Sequence, residues 1–165
     1  MIPIISVVGK SDVGKTTLLE KLLPELKRRG YRVATIKHDA HNFEIDHPGK
    51  DTWRHAQAGS DVVVISSASK FAIITKTEGE KSLDELAEML PGVDIILTEG
   101  YKRADKAKIE VFRSGSGKQG LLCTPEELLA IASDVPFDLE VPCYDLNDAV
   151  GIVDLIEEKY LKKGA

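Results

Sequence analysis

The sequence predicts a three-layer α/β domain that is built on a mostly parallel sheet. The first observation is the order strand, glycine-rich turn, helix, strand in the first forty residues, which is typical of a βαβ unit. The second is the alternation of short apolar runs with helical patterns along the rest of the chain. The third is a pair of neighbouring apolar runs, 61–67 and 71–77, which indicates an antiparallel hairpin at one side of the sheet. With 165 residues, we expect one domain over 1–165.

The first βαβ unit is defined by apolar spacing and by one glycine. Residues 3–8, "PIISVV", form a short apolar run of the kind found in a strand buried on both faces. Leucines recur at helical spacing over 16–29, and Gly30 follows the basic last turn as a helix stop. Pro24 interrupts this helix, so we expect a kink or an early end there. Residues 31–38 supply the second strand.

The remaining elements follow from the same two periodicities. They are helices at 52–59 and 82–90, strands at 93–100, 107–113, 128–134 and 141–146, and a closing helix at 147–163 that begins at Asn147 or Asp148. Two polar segments separate these elements. Residues 39–51 form a loop long enough to be functional, and residues 114–120 form a flexible turn.

Composition, charge and apolar run lengths argue against several classes of function. A net charge of -5 argues against a nucleic-acid-binding protein, which usually has a basic surplus. No apolar run reaches the roughly 20 residues of a membrane span, and the first residues are typical of a strand rather than a signal peptide. Cys123 and Cys143 fit neither a metal motif nor a disulfide framework, so we expect reduced thiols in the cytoplasm.

Residues 9–16, here called the glycine loop, match the Walker A pattern G-x-x-x-x-G-K-[ST] of P-loop NTPase-like nucleotide-binding domains. The glycines let backbone N–H groups turn onto phosphate oxygens, and the following helix adds partial positive charge. Lys15 is placed to reach the β and γ phosphates, and Thr16 to coordinate Mg²⁺. The alternative, a strand-to-helix turn without a ligand, is disfavoured by this context. The expected nucleotide-binding residues of the loop are Gly9, Lys10, Ser11, Asp12, Val13, Gly14, Lys15 and Thr16.

Lys10 and Asp12 are the unusual residues of the glycine loop. A lysine directly after the first glycine resembles the deviant phosphate loop of dimeric nucleotidases, in which the extra lysine crosses to the partner's nucleotide. Ser11 and Asp12 replace the glycines of that variant, so a solvated Lys10 is an equal alternative. Asp12 would be repelled by phosphates unless it faces solvent or a cation.

Other candidate residues follow the ends of buried strands, where ligands bind in open α/β sheets. Glu99 ends the strand 93–100 and is a candidate for the magnesium or water position, although aspartate is usual there; a local capping role is the alternative. Lys37 and His38 end the second strand at the same edge. The loop after them is a candidate switch. Four histidines lie in this region, His38, His41, His47 and His55, but zinc binding is disfavoured because no cysteine is nearby.

The base-recognition signal is weaker than the phosphate signal. The N-K-x-D motif of many guanine-specific proteins is absent, because neither asparagine is followed by lysine. Asp134, at the end of the strand 128–134, could still accept hydrogen bonds from N1 and N2 of guanine. The alternative is a turn aspartate ahead of Pro136.

Several motifs together resemble the MobB family of molybdopterin-guanine dinucleotide biosynthesis adapter proteins. The resemblance covers nearly the whole chain, and its most specific part is the order of "IKH", "PGKD", "EGYK" and "ASDVP" after the glycine loop. It implies GTP binding with Mg²⁺, weak hydrolysis at most, a homodimer, and assistance to the guanylyltransferase that attaches GMP to molybdopterin. By residue, the resemblance assigns phosphate and magnesium to Gly14, Lys15, Thr16 and Thr17, catalysis or magnesium to Glu99, the base to Asp134, and the pocket walls to Lys37, His38 and 46–51.

Two alternatives belong to other functional classes. A small-molecule kinase on the same loop needs an arginine-rich lid, and 39–59 contains only Arg54. A nucleotide-sensing module without turnover is harder to separate from a GTP-binding adapter. The basic segment after Glu99 adds a hypothesis that Lys102 and Arg103 meet molybdopterin phosphate or the partner enzyme, with a solvated surface as the alternative.

Overall fold

The computed structural model of the protein describes residues 1–39 and 43–161. His41 of the candidate switch and the last residues of the predicted closing helix therefore lie outside the described residues. The chain forms two compact units, a larger one made of 1–38 and 83–161 and a smaller one made of 39–82. The expectation of one domain over 1–165 stays a prediction.

Eight strands and four helices make up the described chain. The strands are β1 (Ile4–Val8), β2 (Val33–Lys37), β3 (Val62–Ser66), β4 (Phe71–Thr75), β5 (Ile95–Glu99), β6 (Ala107–Phe112), β7 (Leu128–Ser133) and β8 (Cys143–Asp145). The helices are α1 (Lys15–Arg28), α2 (Asp51–Gln57), α3 (Leu83–Glu88) and α4 (Ala149–Ile156). A π-helical turn, Glu157–Leu161, continues α4, and two short 3-10 turns lie at Ser114–Ser116 and Pro125–Glu127.

The larger unit is built on a six-stranded sheet with the order β2-β5-β1-β6-β7-β8. Every pairing in this sheet is parallel, which confirms the predicted mostly parallel architecture. All five residues of β1 are buried, as its continuous apolar run predicts. Since β1 lies between β5 and β6, the glycine loop that follows it opens at the middle of the sheet's carboxyl edge.

Helix α1 packs its leucines against the sheet and runs through Pro24 to Arg28, so the proline does not end it early. Leu18, Leu22 and Leu26 are at most 1% exposed. The helix ends in a Schellman arrangement, in which the N–H of Tyr31 donates to Leu26 O and that of Gly30 to Lys27 O. The predicted stop at Gly30 is therefore confirmed.

Helix α4 begins at Asp148, whose carboxylate accepts a hydrogen bond from the Gly151 N–H at 2.8 Å. This observation decides between the two expected caps, Asn147 and Asp148. Four apolar residues of α4 are buried in the core that α1 also lines, namely Ile152, Val153, Leu155 and Ile156. The sheet is thus covered by α1 and α4 through a continuous apolar cluster.

The smaller unit contains α2 and the antiparallel hairpin of β3 and β4. The predicted antiparallel hairpin is confirmed, and its two strands form a sheet of their own. Val63 is 7% exposed, whereas the next residue along the strand, Val64, is 56% exposed. Because side chains alternate between the faces of a strand, these two residues lie on opposite faces of the hairpin, and the face that holds Val64 is open.

Within the described residues, no helix combines the length and the apolar character that crossing a membrane requires.

Candidate functional site

The carboxyl ends of neighbouring strands place several predicted residues together. Glu99, at the end of β5, is in register with Val7 of β1 on one side and with Lys37 of β2 on the other. The glycine loop begins two residues after Val7. The sheet therefore brings Lys37, Glu99 and the glycine loop to one edge, as the sequence predicted.

The glycine loop has three residues with left-handed backbone angles, Gly9 (φ 147°), Asp12 (φ 63°) and Gly14 (φ 104°). A Cβ at Gly9 would lie 2.6 Å from the carbonyl oxygen of Val111 in β6, so a side chain cannot be accommodated there without movement. Asp12 is exposed, which meets the condition under which its charge is tolerable beside phosphates.

Lys15 lies across the glycine loop. Its ammonium donates hydrogen bonds to the carbonyl oxygens of Gly9 at 3.2 Å and Lys10 at 2.8 Å. Burial lowers the pKa of Lys15, while the charges of Glu99 and Asp12 act in the opposite direction. The cation is therefore partly desolvated and held at the mouth of the loop, where it can meet an anion.

Thr16 and Glu99 form the central contact of the site. The Thr16 hydroxyl lies 3.0 Å from Oε1 and 2.9 Å from Oε2 of Glu99, and it donates to this carboxylate. Lys37 adds an ion pair, with Nζ 3.8 Å from Glu99 Oε1. The Glu99 side chain is 15% exposed, so these partners surround a largely buried carboxylate.

The donor set of Thr16 and Glu99 fits Mg²⁺. A hydroxyl and a carboxylate are hard oxygen ligands, and Mg²⁺ in nucleotide sites takes one or two protein groups with phosphate oxygens and waters. In the part of the chain that the structure describes, no group of three or more His, Cys, Asp or Glu side chains is arranged for a metal. One hydroxyl and one carboxylate are the number of protein ligands that a nucleotide-bound Mg²⁺ uses.

His38 supports the same edge through its backbone and its ring. Its N–H donates to the carbonyl oxygen of Glu99 at 3.0 Å, and its ring lies 4.9 Å from that of Tyr101. Tyr101 has φ 54°, a left-handed angle that costs a bulky residue about 1 kcal/mol or more. The sequence does not predict this strained turn, because no glycine or asparagine marks the position of Tyr101.

Asp134 lies beyond the glycine loop, at the end of β7. Its two carboxylate oxygens accept from the N–H and the hydroxyl of Ser114, at 2.8 and 2.9 Å. The Ser114 N–H is the main cause of a lowered pKa for this carboxyl. Because a carboxylate has about four acceptor positions, both a turn role and base recognition stay open as predictions.

The segment 113–119 contacts the glycine loop, and the sequence did not predict these contacts. Lys118 donates to the carbonyl oxygen of Ser11 at 2.7 Å, and Arg113 donates to that of Val13 at 3.4 Å. Lys10 in turn donates to the carbonyl oxygen of Gln119. The available signals were Lys118 within the glycine- and serine-rich segment 114–120, which was predicted as a flexible turn, and Arg113 at the end of the predicted strand 107–113.

The remaining candidates lie apart from these contacts or in the smaller unit. Thr17 is exposed in the first turn of α1, and Lys102 is exposed after β5. Residues 46–51, His47 and His55 belong to the smaller unit, and their predicted contribution to the pocket stays a prediction.

Comparisons with known proteins identify the family of this chain. The model of the family described as "MobB: Molybdopterin guanine dinucleotide synthesis protein B" matches residues 4–134. A molybdopterin-guanine dinucleotide biosynthesis adapter protein of Escherichia coli is 40% identical over an alignment of 168 positions. The alignment covers 96% of this chain and 93% of the relative. The chain belongs to the MobB family.

Other MobB proteins agree with this assignment. The adapter protein of Haemophilus influenzae is also 40% identical, over 94% of this chain and 88% of its own length. A solved structure of a molybdopterin-guanine biosynthesis protein B superposes with a TM-score of 0.75 at 30% identity, over 96% of this chain and 99% of that one. The MobB assignment confirms both the predicted P-loop NTPase-like fold and the resemblance on which the functional expectation was based.

Proposed function

We propose that this protein binds GTP with Mg²⁺ and acts as an adapter in molybdopterin guanine dinucleotide synthesis, where it assists the guanylyltransferase that attaches GMP to molybdopterin. The observation that supports it best is the hydrogen-bonded pair of Thr16 and Glu99 at the base of the glycine loop. The 40% identical relatives are named molybdopterin-guanine dinucleotide biosynthesis adapter proteins, which supports the adapter part of the proposal.

The phosphates would be held by the backbone of the glycine loop, by Lys15 and by the hydroxyl of Thr17. Lys15 is already partly buried and directed across the loop, so it can exchange two carbonyl partners for phosphate oxygens. Thr16 and Glu99 would hold Mg²⁺, which neutralises phosphate charge when it is bound. Lys37 would add a second positive charge next to Glu99.

Guanine would be recognised at the end of β7 by Asp134, with His38 as a wall of the pocket on the other side of the loop. A carboxylate is the matching acceptor for the two neighbouring N–H donors of guanine, and adenine lacks that pair. We therefore propose a preference for GTP over ATP.

Hydrolysis would be slow at most. Glu99 is the residue proposed for the magnesium or water position, and its carboxylate is shared between the Thr16 hydroxyl and the Lys37 ammonium. An adapter with a bound nucleotide needs no fast turnover.

The partners we propose are the guanylyltransferase, molybdopterin itself and a second copy of this chain in a homodimer. Lys102 and Arg103, directly after Glu99, are basic groups for a molybdopterin phosphate or for an acidic partner surface. The open face of the β3-β4 hairpin is the surface we assign to the homodimer. We place the protein in the cytoplasm, where the free thiols of Cys123 and Cys143 stay reduced.

Titration calorimetry with GTP and ATP, each with and without Mg²⁺, tests the proposal. We expect GTP to bind more tightly than ATP and Mg²⁺ to strengthen GTP binding. The Lys15→Ala variant should lose most of the GTP affinity. A preference for ATP, or phosphate release that requires a small-molecule acceptor, would instead support a kinase.

A further inference from the structure

Three hydrogen bonds join the glycine loop to residues 113–119, here called the bracing segment. Lys118 donates to the carbonyl oxygen of Ser11 at 2.7 Å and Arg113 to that of Val13 at 3.4 Å. Lys10 donates in the other direction, to the carbonyl oxygen of Gln119. The two parts of the chain are about one hundred residues apart in sequence, so the folded sheet alone brings them together.

The positions of the accepting carbonyls determine where two amide groups point. In a planar trans peptide, the C=O of one residue and the N–H of the next lie on opposite sides. Because the Ser11 carbonyl is directed to Lys118, the N–H of Asp12 is directed away from the bracing segment. The Val13 carbonyl and the N–H of Gly14 are related in the same way through Arg113.

We propose that the bracing segment preorganises the glycine loop for phosphate, with Lys118 and Arg113 as positioning residues rather than phosphate ligands. This inference rests on the proposed GTP binding and deepens it. The three hydrogen bonds between the bracing segment and the glycine loop are here called the brace. Lys10 forms one of them, so the inference gives Lys10 a role within its own chain rather than at the nucleotide of a neighbouring subunit.

Two physical effects make the brace useful. Fixing the loop before the nucleotide arrives removes an ordering cost from binding. A cation on a carbonyl oxygen also polarises the peptide, so that its N–H becomes a stronger donor to an anion. The brace also places the positive charge of Lys118 near the loop. This charge contributes to the lowered pKa of Lys15, after the larger effect of burial.

The brace differs from direct phosphate contact in the ligands that it should affect. A positioning residue acts through the whole loop, so its loss should weaken the binding of GTP, GDP and pyrophosphate by the same factor. The loss of a residue that touches the γ phosphate should instead weaken the binding of GTP far more than that of GDP. The ratio of the GTP and GDP affinities therefore separates the two roles.

The experiment compares Lys118→Met, Lys118→Arg and Lys27→Met with the unmodified protein. Lys27 is the matched control, because it also donates to a backbone carbonyl, that of Tyr31 at 3.0 Å, but at the far end of α1. The dissociation constants of GTP, GDP and pyrophosphate are measured by calorimetry, and melting temperatures are recorded without ligand.

We expect Lys118→Met to raise the dissociation constants of all three ligands about tenfold, which is the size of effect expected for the loss of one charged hydrogen bond. Lys118→Arg should recover most of that loss, and Lys27→Met should leave all three dissociation constants unchanged. If Lys118→Met lost affinity for GTP alone, or bound all three ligands as the unmodified protein does, the proposed role of the brace would be wrong. If the unmodified protein bound neither GTP nor GDP, the proposed function itself would fail, and binding of pyrophosphate alone would still test the brace.

Discussion

The hydroxyl of Thr16 and the carboxylate of Glu99, from residues 83 positions apart, meet at 2.9 Å beneath the glycine loop. Thr16 lies in the first turn of α1 and Glu99 ends β5, so the contact joins the two elements that flank the proposed nucleotide site. It is also the only pair of oxygen ligands that the proposed function assigns to Mg²⁺, so the first prediction concerns it.

Replacing Glu99 by Gln should remove the magnesium dependence of GTP binding. The amide keeps the size of the side chain but loses the negative charge that holds the cation, so affinity with Mg²⁺ should fall about tenfold or more. Affinity without Mg²⁺ should stay the same or rise, because one repulsive charge near the phosphates is gone. Calorimetric titration of GTP at several Mg²⁺ concentrations measures both effects.

The matched controls for this variant are Glu99→Asp and Glu88→Gln. Aspartate retains the charge and is the usual residue at such a position, so it should keep the magnesium dependence. Glu88 is exposed at the end of α3, and its substitution should have no effect on GTP binding. If Glu99→Gln retained the full response to Mg²⁺, Glu99 would be no part of the metal site.

A side chain at Gly9 should destabilise the protein more than one at an ordinary glycine. Gly9→Ala combines a left-handed angle, φ 147°, with a Cβ placed 2.6 Å from the Val111 carbonyl oxygen. Gly30→Ala is the control, because Gly30 also has a positive φ, 92°, but no atom lies within 4 Å of its added Cβ. We expect about 1 kcal/mol for Gly30→Ala and roughly 3 kcal/mol for Gly9→Ala from urea unfolding. Equal losses would show that the close approach to Val111 is unimportant.

Glu110 should be a strong determinant of stability although it is charged. It is 1% exposed in β6, and its carboxylate accepts from the N–H groups of Leu122 at 2.6 Å and Cys123 at 3.0 Å. Glu110→Ala leaves both donors without their acceptor, so we expect a loss of roughly 3 kcal/mol in the free energy of unfolding. Glu110→Gln, which retains one acceptor oxygen, should lose less. The exposed Glu126 is the control, and Glu126→Ala should cost under about 1 kcal/mol.

Cys123 should react far more slowly than Cys143 with a thiolate-selective reagent. Burial, together with the charge of Glu110, raises the pKa of Cys123 to about 11. Since the thiolate is the nucleophile, only about one molecule in a thousand is reactive at Cys123 at pH 8. Cys143 is exposed and serves as the internal comparison.

Mass spectrometry of iodoacetamide labelling at pH 8 and pH 10 measures both rates in one sample. The rate at Cys123 should keep rising up to pH 10, because its pKa lies above that value. Equal labelling of the two cysteines at pH 8 would contradict the burial of the Cys123 thiol.

The sequence was sufficient where a residue pattern acts locally. The apolar period predicted β1 and α1, Gly30 predicted the end of α1, and the strand-end rule placed Glu99 beside the glycine loop. Each of these inferences uses neighbours within a few residues or the common direction of parallel strands.

Long-range contacts between loops could not be obtained in this way. Lys118 meets Ser11 only because β6 lies next to β1 and because the turn after Phe112 bends back over the glycine loop. Asp134 meets Ser114 for a similar reason, since β7 lies next to β6. Turn geometry, which has no sequence period, decides such contacts. For the same reason, the sequence did not indicate that the hairpin forms a sheet of its own.

The open face of the hairpin leads to the last prediction, which concerns the proposed homodimer. Val62, Val64, Phe71 and Ile73 share this face and are between 51% and 69% exposed. Val64 and Ile73 are paired directly across the two strands, so a charge at either one disturbs the centre of the face. Ile73→Glu should therefore shift a dimer toward monomer in sedimentation velocity runs over a range of concentrations. Ile65→Glu is the matched control, because Ile65 is equally exposed, at 57%, but its side chain is on the opposite face. A monomeric unmodified protein, or the same shift in both variants, would remove this face from the proposed dimer.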